Sequence, residues 1–180
     1  MSRTNPYKRK KRAAKITMLV YGEGVCEEVF VKHIKGLYGQ NSGISIKVRN
    51  GKGGDPLSVV QNALREPGSY DHVVVIIDND KPESEMSSAR ATAKGRGLLL
   101  IEHTPCLEAV LLSILNSGTS YARKTSPWCK SKFESEHIDK QKRREFHMYE
   151  RVFPKELLDQ QRKKVVELDR IIRIIEGNVE

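Results

Sequence analysis

Five consecutive β-branched residues, Val73 to Ile77, set the strongest constraint on what this chain can fold into. A run of that kind suits a strand buried on both faces, the interior strand of a parallel sheet covered by helices. Ile16 to Tyr21 is a second apolar run, cut off by Gly22-Glu23-Gly24. Two glycines around a carboxylate read as a tight strand-to-helix turn. Both runs end on acid, the first at Glu23 and the second at Asp78-Asn79-Asp80. In open α/β sheets, ligands and chemistry gather at the carboxyl ends of strands. Packing alone is a poor explanation for two such acidic ends.

The rest of the chain alternates strand and helix. Val25 to Tyr38 has helical period, with Val29, Phe30, His33, Ile34 and Leu37 on one face. Ile44 to Val48 reads as a short strand and NGKGGD, residues 50–55, as a glycine-rich loop. Asp55 caps a helix that opens on Pro56 and is stopped by Pro67-Gly68. A helix across Pro82 to Gly97, a strand at Leu98 to Ile101 and an apolar helix at Cys106 to Leu115 complete the series. The expected class is α/β, a Rossmann-like, mainly parallel sheet flanked by helices.

Beyond residue 119 the character changes. Tyr121 to Glu145 holds eight basic and four acidic side chains, with Trp128 and Phe133 as its main apolar anchors. Those two aromatics suit either stacking on bases or pinning a loop to the core. Leu158, Val165, Leu168, Ile172 and Ile175 restore helical spacing and are expected to pack back on the domain. The chain thus divides into a basic flexible arm (1–15), a core (16–118) and a helical, partly irregular C-terminal extension (119–180).

Charge is unevenly spread over the 180 residues. Of the net +9, seven charges lie in residues 1–15, which contain no acid, leaving +2 for the rest. Lys8, Arg9, Lys10, Lys11 and Arg12 form its densest stretch, suited to neutralising phosphates or to acting as a solvated tail. No apolar run approaches the ~20 residues of a membrane span, and the N-terminus lacks the apolar core of a signal peptide, so a cytoplasmic protein is expected. Cys26, Cys106 and Cys129 form no C-x-x-C pair, which favours reduced thiols over a disulfide framework or zinc site.

Glu23, Asp78 and Asp80 together make an oxygen-rich set suited to a hard divalent cation, with the i and i+2 carboxylates of a strand end expected on one side. Mg²⁺ commonly binds one or two carboxylates plus substrate phosphates. Lys52, within NGKGGD, has a loop around it that suits either a phosphate cradle or a plain surface turn. Lys81, just after Asp80, is a further candidate for a phosphate contact. His103 follows the last strand and suits either the acidic cluster or a structural role.

These motifs, EGVCEEVF from Glu23 to Phe30, DND from Asp78 to Asp80 and PCLE from Pro105 to Glu108, resemble those of the TOPRIM domain and most closely its RloB-type branch. The resemblance spans residues 16–118. It implies that Glu23 is a general acid/base or metal ligand and that Asp78 and Asp80 hold Mg²⁺ or Mn²⁺. Glu27 and Glu108 are secondary acidic candidates by the same likeness; each also suits a helix first turn, where a carboxylate favours the macrodipole.

The resemblance therefore implies a metal-dependent nuclease cutting DNA or RNA with water as nucleophile. It also implies a setting in phage defence and abortive infection, beside an ABC-type ATPase acting in trans, and it leaves room for a homodimer. No tyrosine is placed for topoisomerase chemistry. A non-catalytic binding or scaffolding module of RecR type is the alternative.

Overall fold

The structure, a computed structural model, describes residues 16–40, 42–51 and 53–179. The basic arm and Lys52 lie outside the described residues. Four strands, β1 (Ile16–Gly22), β2 (Ile44–Asn50), β3 (His72–Asp78) and β4 (Leu99–His103), form one all-parallel sheet in the order β2-β1-β3-β4. Helices α1 (Val25–Tyr38), α2 (Pro56–Arg65), α3 (Glu83–Gly95) and α4 (Leu107–Leu115) follow the four strands in turn. The chain goes on through α5 (Ser126–Glu136), α6 (Phe146–Val152), α7 (Lys155–Gln161) and α8 (Val166–Glu176). This is the expected α/β architecture.

Strand alternation divides the core into two layers. Met18, Val20, Val74 and Ile76 face a layer that also contains apolar residues of α1, α4 and α8. Leu19, Tyr21, Val75 and Ile77 face the other layer, with Val59 and Val60 of α2 and Met86 and Ala89 of α3. Because each central strand is covered on both sides, both of its alternating faces must be apolar, which explains the unbroken Val73–Ile77 run. The C-terminal helices continue the first layer: Leu158, Leu168, Ile172 and Ile175 belong to the same cluster as Phe30 and Leu111.

The structure departs from the sequence expectation at both edge strands and in the C-terminal third, where α5 and α6 are helices that no periodicity marked. Both edge strands run two residues farther, to Asn50 and His103, because ladder pairing carries them to Gly22 and Asp78 of their neighbours. The Leu158–Glu176 stripe is two helices, not a continuous one, broken at Arg162–Val165. There Arg162 turns onto α8, its guanidinium donating to Asp169 at 2.9 Å and to both oxygens of Glu176 at 3.1 Å. Arg162 thus holds the two segments at an angle that one straight helix could not give.

Gly22 decides how closely β1 approaches α1. A Cβ on Gly22 would lie 2.5 Å from Glu27 Cβ, an atom fixed to the helix backbone. Gly22→Ala is therefore expected to destabilise the fold by about 2 kcal/mol, the range of core overpacking. A lowered denaturant midpoint with unchanged m-value checks this.

Candidate functional site

In the order β2-β1-β3-β4 the chain leaves β1 for one side of the sheet and returns on the other, so the topological switch point lies between β1 and β3. Glu23 closes that gap. Its N–H donates to Ile76 O at 3.0 Å, and its Oε2 accepts from the Asp78 N–H at 3.1 Å. The glycine-rich loop is tied to the same corner, with Gly51 N–H donating to Gly22 O and Gly53 N–H to Glu23 O.

Asp78 ends β3 and is only 4% exposed. Its Oδ1 accepts from the Leu107 N–H at 3.0 Å, satisfying an orphan donor at the start of α4. Its Oδ2 accepts from Lys130 Nζ at 3.1 Å. Glu108, in the first turn of α4, is buried, and its Oε2 has no hydrogen-bond partner among the described residues. Asp78, Cys106 and Glu108 each offer an atom within 4.8 Å of the others, a group that could hold a metal ion. Glu27 is buried beside them, with its Oε2 accepting from the Gly24 N–H at 2.9 Å. That bond starts α1 in the manner of a capping box.

Burial dominates the electrostatics. It raises the Glu27 carboxyl, and the charges of Asp78, Glu108 and Glu23 add to it, carrying the group up to about 8. Burial likewise raises Glu23 against the bond from the Asp78 N–H, and raises Asp78 against the Lys130 ammonium. Glu108 is raised by burial and then by Asp78. For Lys130 burial works to lower the value, but Asp78 and Glu108 outweigh it and the ammonium is held more firmly. Burial also pushes Cys26 up to about 12 and raises Cys106, so both thiols stay protonated near neutrality. With one lysine bonded into a cluster of four carboxyl groups, the site retains protons unless a cation of higher charge is supplied.

That retention has a measurable consequence. A carboxyl near 8 in the folded protein and at the ordinary 4.5 when unfolded binds an extra proton in the folded state between those values. Stability therefore falls as pH rises through that window. His103 acts oppositely, because burial lowers it to about 4, but only below its ordinary 6.5. In EDTA, Tm is expected to drop by about 5 °C from pH 6.5 to 8.5. Glu27→Gln keeps an acceptor for Gly24 and should flatten the slope.

The carboxylates line a cleft of about 760 Å³, whose lining also includes Lys130, Arg143 and Arg144. Lys130 comes from α5, and the two arginines from the segment between α5 and α6. The structure thus brings together Glu23, Glu27, Asp78 and Glu108. It does not bring Asp80 or Lys81 into the lining; both are exposed. The i, i+2 expectation does not carry over to Asp80 because β3 ends at Asp78, and alternation ends with the ladder. Asp80 is still near enough to raise Glu23 and Asp78. Lys52, Lys8, Arg9, Lys10, Lys11 and Arg12 lie outside the described residues. His103 is 1% exposed, and neither ring nitrogen has a partner among the described residues.

Sequence reasoning missed Lys130, Arg143 and Arg144 as cleft residues. Their one visible signal was the excess of basic side chains between Tyr121 and Glu145. The Cys106 thiol stood within PCLE but was not read as a donor. No family model matches this chain, and neither curated proteins nor solved structures yield a match.

Proposed function

We propose that this chain is a divalent-metal-dependent phosphodiester hydrolase of TOPRIM type, closest to the RloB-type branch, acting on DNA or RNA. One observation carries the reading: Glu23, Asp78 and Glu108 converge near the switch point of a parallel sheet, in a cleft that Arg143 and Arg144 also line. A cleft lined by both acidic and basic side chains matches a substrate whose phosphate must be both held and polarised.

The donor set fits a hard cation if its carboxylates, not its thiol, do the binding. Glu108 Oε2 lacks a partner in a buried position, and a bound cation would satisfy it. Asp78 and Glu108 would hold Mg²⁺ or Mn²⁺, with Glu23 beside them, while Cys106 is the softer donor that Mg²⁺ uses least. Asp80, exposed beyond the cleft, is the ligand this reading needs least. The cation, when bound, polarises the phosphate and stabilises the leaving oxygen. Arg143 and Arg144 would grip phosphate oxygens. Glu23 Oε2 is held by the Asp78 N–H, which leaves Oε1 to exchange a proton with the attacking water. The setting in phage defence with an ATPase in trans rests on the motif resemblance alone.

A second reading, a non-catalytic nucleic-acid-binding or scaffolding module of RecR type, is favoured by the Lys130–Asp78 bond, which neutralises Asp78 without any metal. Incubation with plasmid, single-stranded DNA and total tRNA in Mg²⁺, Mn²⁺ or EDTA separates the two. Cleavage that EDTA stops supports the hydrolase. Substrates bound but intact in every condition, including with a co-purified ATPase, support the module.

A further inference from the structure

The geometry points to a base-stacking platform on the outer side of α5, centred on Trp128 and fitted to an unpaired nucleic-acid strand. The inference rests on the nucleic-acid reading above and narrows its substrate class. Trp128 is the sole tryptophan of the chain and is 40% exposed. The inward side of α5 does the packing, with Cys129 and Phe133 buried and Lys130 reaching Asp78. The indole is thus not spent on the core.

Its surroundings suit a strand. The Tyr121 ring is stacked with Trp128 at a centroid distance of 5.9 Å and an interplanar angle of 26°. The ammonium groups of Lys124 and Lys132 lie over the indole ring, 5.0 and 5.7 Å from its centroid, and Lys132 is also paired with Glu136. The start of the helix does not need the indole, because Thr125 caps it by accepting from the Trp128 backbone N–H. A part-exposed indole stacked with one ring and carrying lysine ammonium groups over it supplies what a single strand requires: an aromatic surface for a base and positive charge for the flanking phosphates. A duplex hides its base faces and cannot use such a platform.

Trp128 emission reports directly on the proposal. The full-length protein is titrated in EDTA, where no cleavage interferes, with oligothymidylate, with an abasic strand of equal length and with a duplex. The expected result is saturable quenching by oligothymidylate alone. Equal quenching by the abasic strand, or none by any strand, overturns the proposal. So does an emission change that tracks protein concentration together with a doubled mass, which would assign the face to a second copy.

With a labelled strand followed by anisotropy, Trp128→Ala is expected to bind roughly tenfold more weakly and Trp128→Phe to retain most of the affinity. An alanine variant that keeps its circular dichroism and binds like the parent also overturns it. Base-dependent quenching without metal-dependent cleavage keeps the platform and removes the hydrolase. Cleavage without quenching does the reverse.

Discussion

On the proposed hydrolase reading, Asp78→Asn is expected to reduce metal-dependent cleavage at least about a thousandfold while leaving the fold and any strand binding intact. The size follows from the group's position. Asp78 belongs to the one carboxylate and thiol group compact enough to hold a metal ion among the described residues. A cation that polarises a phosphate contributes several kcal/mol of transition-state stabilisation, and each ~1.4 kcal/mol is tenfold in rate. Asparagine is the informative replacement. Its amide oxygen can go on accepting from the Leu107 N–H, so the start of α4 keeps its partner, whereas alanine would also remove that bond. The checks are single-turnover cleavage, anisotropy with a labelled strand in EDTA, and circular dichroism. A variant that cleaves within tenfold of the parent would move the metal site away from Asp78.

The second large effect is expected at Lys130. Lys130→Met removes the ammonium 3.1 Å from Asp78 Oδ2 and leaves a carboxyl group that is only 6% exposed without its counter-ion. Breaking a fully buried pair costs about 3–5 kcal/mol. Here the lysine side chain is 41% exposed, so solvent screening lowers the expectation to about 2 kcal/mol in EDTA. Mn²⁺ should then stabilise the variant more than the parent, because metal no longer competes with an ammonium for Asp78. Thermal denaturation with and without metal reads both parts. If Lys130→Met loses stability and metal recovers none of it, the lysine is a structural tie and not the occupant of a cation position.

Much of the fold is legible in the sequence because its signals are local. Val73–Ile77 specifies a doubly covered strand, Asp55-Pro56 starts α2 where expected, and Gly22-Glu23-Gly24 turns β1 into α1. Each depends on residues within about one turn or a few strand positions, where backbone sterics and capping dominate. The acidic strand ends follow from the same local logic, so Glu23 and Asp78 were readable as a pair before any contact between them was known. The break between α7 and α8 was not, since Leu158, Val165, Leu168 and Ile172 keep helical spacing across it. Only the packing of Arg162 against Asp169 and Glu176 shows why the chain bends there.

The sequence by itself therefore determined the order of strands and helices from β1 to α4, the turn at Glu23 and the acidic end of β3, but not the separate helices α5 to α8. The tertiary structure alone decided the company those groups keep. Asp80, two residues from Asp78, falls outside the cleft because the hydrogen-bond ladder stops at Asp78. Lys130 reaches Asp78 from 52 residues away, on a helix docked through Cys129 and Phe133. By sequence Glu27 suits a helix first turn, and it becomes a buried acid near 8 only when burial and the charges of Asp78, Glu108 and Glu23 act on it. Periodicity and capping act along a few residues of backbone. Desolvation and Coulomb interaction depend on distances between segments that only the closed core brings within reach.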